Sequence, residues 1–205
     1  MPPTTEEKIK SAARTVFHSK GFAATKTRDI AKEAGINLAL LNYYFRSKEK
    51  LFQIIMMDSI HSLFQSILPI FFEEETNFFE KIEKFVSLYI EKLKTDPEIP
   101  LFILSELQRN PLVIMDQVPF KEIFETSVFH KQYESAIEKK ELNPISYYHL
   151  IMNLAGLTVF PFIGKPIFFQ VGNLTSEEFH RLMEERKKWI PIWIKQMLTN
   201  ELQAS

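Results

Sequence analysis

Apolar residues recur every three or four positions along almost the whole chain, and no stretch of any length alternates with period two. The pattern predicts an all-α protein. Thr4 with Glu7 three residues on is a capping box, in which each side chain satisfies backbone donors at a helix start. Ile9, Ala12, Ala13, Val16 and Phe17 then mark one face of a first helix, down to Gly21. Thr25 or Thr27 can cap a short second helix with Ile30, Ala31 and Ala34 inward, stopped by Gly35. Asn37 can cap a third helix whose inward residues are Leu41 and Phe45, and Ser47 a fourth that opens with Leu51, Phe52 and Ile55. Two short helices joined by a tight turn containing Gly have helix-turn-helix geometry.

Beyond residue 50 the spacing stays helical. Thr76 is a cap for a helix carrying Phe78, Ile82, Phe85, Val86, Tyr89 and Leu93 on one face. Asp96-Pro97 opens another helix, which should stop by Asn110-Pro111. A single helix is expected from about 119 to 140, and Asn143-Pro144 should open a very apolar one that Pro161 ends or kinks. Thr175 with Glu178 is a further capping box, leading into a stripe of Phe179, Leu182, Met183, Ile190, Trp193 and Met197 kinked at Pro191. The expected division is a three-helix helix-turn-helix domain over 1–48 and a larger helical domain over 49–205.

Charge changes this picture. Residues 1–50 hold ten Lys/Arg against five Asp/Glu, a net +5, although the 205-residue chain carries −1. A basic head on an acidic body is the asymmetry of a small module that meets a polyanion. The absence of Cys removes disulfides, thiolate metal ligands and Cys nucleophiles, and fits a reducing compartment. No basic segment precedes an apolar one at the start, so a cytoplasmic protein is expected.

The segments "IAKEAGI" (30–36), "NYYF" (42–45) and "SKEKL" (47–51) carry a resemblance that the periodicity alone does not. In that order and spacing they resemble the N-terminal domain of TetR-family transcriptional regulators, over roughly the first quarter of the chain. The resemblance implies a dimeric, ligand-responsive regulator, most often a repressor, that reads a pseudo-palindromic DNA operator and is released by a small effector. It also implies that the last two long helices pair across the two-fold, and the stripe with Trp189, Trp193 and Met197 suits that role.

The residues support the same docking. An eight-residue helix from Leu38 to Phe45 fits a major groove about 12 Å wide. With Leu41 and Phe45 inward, Leu38, Ala39, Asn42 and Tyr43 lie outward or at the edges. Asn42 can pair bidentately with adenine, and Leu38 or Ala39 can meet a thymine methyl. In an arbitrary helix Leu38 and Ala39 would be core, but here the inward face is already filled. Thr27, Arg28 and Lys48 suit phosphates, as do the phenols of Tyr43 and Tyr44, although Tyr44 is also compatible with partial burial. Asn37 completes the candidate DNA-binding set. Asn42 stands where many family members have Tyr, and Asn37 where Ser or Thr is usual, which bears on the operator sequence.

For the body the sequence offers less. The His residues at 18, 61, 130, 149 and 180 show no metal-ligand spacing, so no metal and no cofactor is expected. Glu73-Glu74-Glu75 reads as a solvated loop. Nineteen Phe in the chain, sixteen of them beyond residue 48 in a helical body, suit an aromatic-lined cavity for a lipophilic effector, with Phe102, Phe124, Met152 and Phe160 as lining candidates. The apolar stretch 150–171 is broken by Asn153, Gly156, Pro161, Gly164 and Lys165, unlike a membrane span, and Ala155 and Gly156 would permit close helix approach. A small helical enzyme with a regulator-like head is the competing reading, and no nucleophile or acid–base motif accompanies it.

Overall fold

α1 (Thr5–Ala24) begins at the Thr4 cap, whose Oγ1 accepts from Glu7 N at 3.2 Å while the Glu7 carboxylate accepts from Thr4 N at 2.7 Å. The structure, a computed structural model, describes residues 3–109, 111–115 and 120–199. Ile9, Ala12, Ala13, Val16 and Phe17 are all buried on one side of α1. At Gly21 the backbone turns to φ +73°, a conformation costly for residues with a Cβ, and the helix resumes to Ala24 beyond the kink. α2 (Thr27–Glu33) buries Ile30 and Ala31. It closes on Gly35 at φ +67°, with Ile36 N donating back to the Ala31 carbonyl at 3.0 Å. α3 (Leu38–Phe45) follows, and then α4 (Lys48–Phe72).

The chain divides into two compact units between His61 and Ser62, within α4. In the N-terminal unit Phe17, Phe22 and Phe52 form a ring cluster with centroids 4.5–5.9 Å apart, which ties the end of α1 to the start of α4.

The C-terminal unit contains α5 (Phe78–Thr95), α6 (Ile99–Arg109), α7 (Pro111–Met115), α8 (Phe120–Glu125), α9 (Val128–Glu138), α10 (Tyr147–Ile163), α11 (Lys165–Val171) and α12 (Ser176–Thr199). α5 is central and packs on α9, α10 and α12. Much of the aromatic excess is spent here as core: Phe78 stacks on Phe129 at 4.8 Å, and Phe71, Tyr133 and Tyr147 all pack against Phe129 or Phe78. Among the described residues there is no strand.

Several boundaries differ from those the sequence predicts. Asn77, not Thr76, caps α5, in a capping box with Glu80. The single helix expected over 119–140 is two, because Ser127 turns its hydroxyl to His130 N and starts α9 afresh; Pro119 lies outside the described residues. Ser146 rather than Asn143 caps α10. Pro161 does not end α10, which continues to Ile163. A proline has no N–H, so the carbonyl four residues earlier, Leu157, loses its helical donor. Arg186 of α12 supplies the replacement, its Nη2 donating to Leu157 O at 2.7 Å.

Lys81 is the one cation buried in this unit among the described residues, 1% exposed, and burial lowers its pKa. Its ammonium donates to the carbonyl and Oγ1 of Thr76, and Gln132 Nε2 donates to the same carbonyl at 2.8 Å. The acidic loop is therefore pinned at its C-terminal end, and Glu73 is paired with Lys84 at 2.8 Å rather than simply solvated. By length and composition α4 would pass for a membrane span, as would α10 and α11 together despite their 53° bend, and core helices of soluble proteins meet the same test.

α5 and α12 are also joined by an ion network of Lys94, Lys187, Glu91 and Glu184. The ammonium groups of Lys187 and Lys94 hold the Glu184 carboxyl down at about 2, from an ordinary 4.5. A carboxylate depressed on folding adds stability above its unfolded pKa and loses it as pH falls through the folded one. The thermal midpoint should therefore fall as pH drops from 4.5 toward 2, and scanning calorimetry of Glu184→Gln should show a shallower fall across that window.

Candidate nucleic-acid interface

α3 is oriented by two side chains. Leu41 is 0% and Phe45 3% exposed, four residues apart on one face, and each buried side chain of this size contributes about 1.5–3 kcal/mol. With that face fixed, the others point away from the core: Ala39, Asn42, Tyr43 and Tyr44 are exposed and Leu38 partly so. Tyr43 is 80% exposed, an unusual position for so large an apolar ring, and it meets Tyr44 edge-on at 5.5 Å. Tyr44 itself remains 41% exposed.

The start of α3 is set by Asn37, whose Oδ1 accepts from Leu40 N at 2.8 Å. That oxygen is committed to the cap, and the side-chain amide nitrogen has no acceptor among the described residues. The end is set by Arg46 at φ +58°, whose N–H returns to the Asn42 carbonyl at 2.9 Å. Positive φ at a non-glycine residue is costly, and here it turns the chain sharply from α3 into α4. Arg46 is exposed, and nothing in the spacing of the sequence announces a left-handed residue there.

Charge around α3 is sorted by pairing. Lys10 and Arg14 on α1 face Asp58, and Lys20 pairs with Asp29 at 3.2 Å. Arg28, Arg46 and Lys50 are exposed and form no ion pair among the described residues. Thr27, the first residue of α2, is half-buried. Lys48 differs from the phosphate-facing expectation: its ammonium is turned inward and donates to the carbonyls of Phe22 at 2.9 Å and Thr25 at 3.1 Å. It also sits 4.2 Å from the centre of the Phe22 ring. It closes the loop after α1 against the start of α4.

The unit thus presents a short helix with one polar and aromatic face outward, held from behind by apolar anchors and flanked by unpaired cations. Residues 9–55 match the model of the bacterial regulatory proteins, tetR family. Over these residues the chain is a TetR-family DNA-binding domain. It is a transcriptional regulator with a helix-turn-helix DNA-binding head.

Resemblance to other TetR-type regulators extends beyond the head. The chain is 24% identical over 202 residues to YttP of Bacillus subtilis (strain 168), described as a probable HTH-type transcriptional regulator; the match covers 93% of this chain and 94% of YttP. It is 29% identical over 121 residues to the biofilm operon icaADBC negative transcriptional regulator IcaR of Staphylococcus aureus (strain Newman), covering 50% of this chain and 61% of IcaR. The fold is shared with a TetR/AcrR-family regulator from Thermobifida fusca, with TM-score 0.64 at 16% identity, covering 91% of this chain and 96% of that one. It is shared also with the TetR-family regulator PfmR from Thermus thermophilus, with TM-score 0.61 at 14% identity, covering 95% and 99%.

In the body of the chain, the four candidate lining residues do not converge. Phe102 is buried in α6, and Phe124 stacks on Tyr148 at 5.5 Å beside a cleft of about 570 Å³. Met152 and Phe160 are 60% and 56% exposed on the outer face of α10, so neither lines an interior cavity. Helical spacing identified them as apolar positions but carried no information on which face of α10 is covered. No group of His, Asp or Glu among the described residues is placed to hold a metal.

Lys48→Met keeps the length of the side chain and removes its charge. Denaturant unfolding should show a loss of about 1–2 kcal/mol, the value of charge-assisted hydrogen bonds discounted for partial exposure. A residue that only touched phosphate would leave stability unchanged.

Proposed function

We propose that the protein acts as a homodimeric repressor that binds a pseudo-palindromic operator and is released by a small apolar effector. The observation that carries the DNA half is the outward display of Ala39, Asn42 and Tyr43 behind the buried Leu41 and Phe45. In this reading Asn42 makes the bidentate base contact, and Leu38 and Ala39 meet thymine methyls. Tyr43, Tyr44, Thr27, Arg28 and the Asn37 amide meet the backbone. Arg46 joins them as an unpaired cation at the end of α3. Lys48 acts from behind, by fixing the helix that carries the neighbouring contacts.

The dimer is assigned to α10 and α12. Tyr148, Met152 and Phe160 form an exposed apolar stripe on α10, and Trp189, Ile192 and Trp193 another on α12. Apolar area of this kind is seldom left to water and marks an interaction face. Two heads related by a two-fold would enter successive major grooves about 34–36 Å apart. The head would correspond to 1–48 and the effector-binding and dimerisation body to 49–205. An effector would favour whichever head separation fits the operator less well, with no chemical step. The place of action is then the cytoplasm, with the DNA.

Selection of bound duplexes from a random pool should return a two-fold motif; an asymmetric or absent motif contradicts the reading. On the selected site, Asn42→Ala should lose about 1–3 kcal/mol of discrimination at one position of each half-site, whereas Arg28→Ala should weaken all sequences alike. Met152→Asp should shift sedimentation toward the monomer.

A further inference from the structure

Tyr89, on the buried face of α5, carries a hydroxyl with no hydrogen-bond partner among the described residues. The other buried hydroxyls of the described residues all have one. Those of Thr25, Ser127 and Thr158 donate to carbonyls one turn back, and that of Ser59 accepts from Arg14. Tyr133 and Tyr147 donate to the carbonyls of Ile145 and Ile123. A buried polar group left without a bond costs stability, so its retention calls for a reason.

The packing around Tyr89 is incomplete. Its ring meets Phe85 at 5.2 Å, and Phe85 meets Phe71 of α4 at 5.5 Å. These three rings keep 7–9% of their surface accessible, whereas Ile82, Val86, Ile90 and Leu93 of the same helix keep none. A close-packed core leaves no such remainder, so space adjoins the rings. All three belong to α4 and α5, apart from the α10 and α12 stripes assigned to the dimer, and a partner protomer on those stripes does not fill it.

The surroundings are also without charge. Burial alone pushes the Tyr89 phenol up to about 12, with no charged group adding to the shift. On neighbouring turns of α5, Lys84 pairs with Glu73, Glu91 with Lys94 and Lys187, and Lys81 donates to Thr76. The hydroxyl is therefore a neutral donor set in an aromatic wall.

We infer that the Tyr89 hydroxyl binds the carbonyl oxygen of a small neutral lipophile, whose apolar part packs against Phe85 and Phe71. An ion would find no counter-charge there, and a hydrocarbon would leave the hydroxyl without a bond. A ketone or an ester meets both conditions. The inference rests on the effector-controlled reading above and gives that effector a chemical class.

Benzylacetone, a ketone, and butylbenzene share one carbon skeleton, and hydrocinnamate is an anion of similar size. Calorimetric titration of the full-length protein should show saturable binding of benzylacetone, with the other two at least about fivefold weaker, the value of one hydrogen bond. Tyr89→Phe should bring benzylacetone to the level of butylbenzene without lowering the thermal midpoint, since the hydroxyl makes no bond within the chain. A merely structural hydroxyl would lower the midpoint and leave the ratio of ketone to hydrocarbon unchanged. Should the variant fail to fold, the comparison of the three probes on the native protein decides alone. Equal binding of ketone and hydrocarbon, absence of saturable binding by benzylacetone, or native affinity in Tyr89→Phe would overturn the assignment. Operator binding measured in parallel separates the two claims: Tyr89-dependent binding that leaves the DNA complex intact keeps the site and removes its role as the effector site.

Discussion

The burial of Leu41 and Phe45 is the constraint on which the DNA-facing surface depends. α3 has only eight residues, too few to be stable alone, so its existence and its rotation about its own axis both come from tertiary packing. Two apolar side chains one turn apart fix that rotation, and the polar and aromatic residues between them have no choice of direction. The termini are fixed independently, by the Asn37 cap at one end and the left-handed Arg46 at the other. A recognition surface set in this way is rigid before it meets a ligand, which reduces the ordering cost of binding.

Much of this was legible in the sequence. The capping boxes at Thr4 and Thr175 and the Asn37 cap are local signals, complete within four residues, and the structure has each of them. The inward pair of α3 was readable because helical spacing leaves one face for apolar residues. What could not be read were partnerships made over distance. Lys48 in "SKEKL" looks like a free surface cation, yet its partners are carbonyls 23 and 26 residues upstream. Lys81, in a helix full of charges, is buried because Thr76 and its loop come back over it. Met152 and Phe160 have the right spacing for a core and lie outside it, since periodicity marks a face without saying what covers it.

Prolines show the same division between local and distant information. The residue type predicts correctly that a helical hydrogen bond is lost at Pro161. It does not predict that the helix survives, because survival depends on Arg186, 29 residues beyond Leu157, supplying the missing donor. The repair couples α10 to α12 and at the same time leaves a guanidinium without a carboxylate beside an aromatic wall.

The pairing of α1 has a consequence for how the head responds to ionic strength. Lys10, Arg14 and Lys20 have already met carboxylates within their own unit, and Lys48 has met carbonyls. These four displace few condensed counterions when a duplex arrives, so the steepness with which affinity declines in added salt is set by the remaining unpaired cations rather than by the full basic count of the head. Four of the ten cations in the first fifty residues are therefore engaged in holding the head together, and six, Lys8, Lys26, Arg28, Lys32, Arg46 and Lys50, are left to set the salt response.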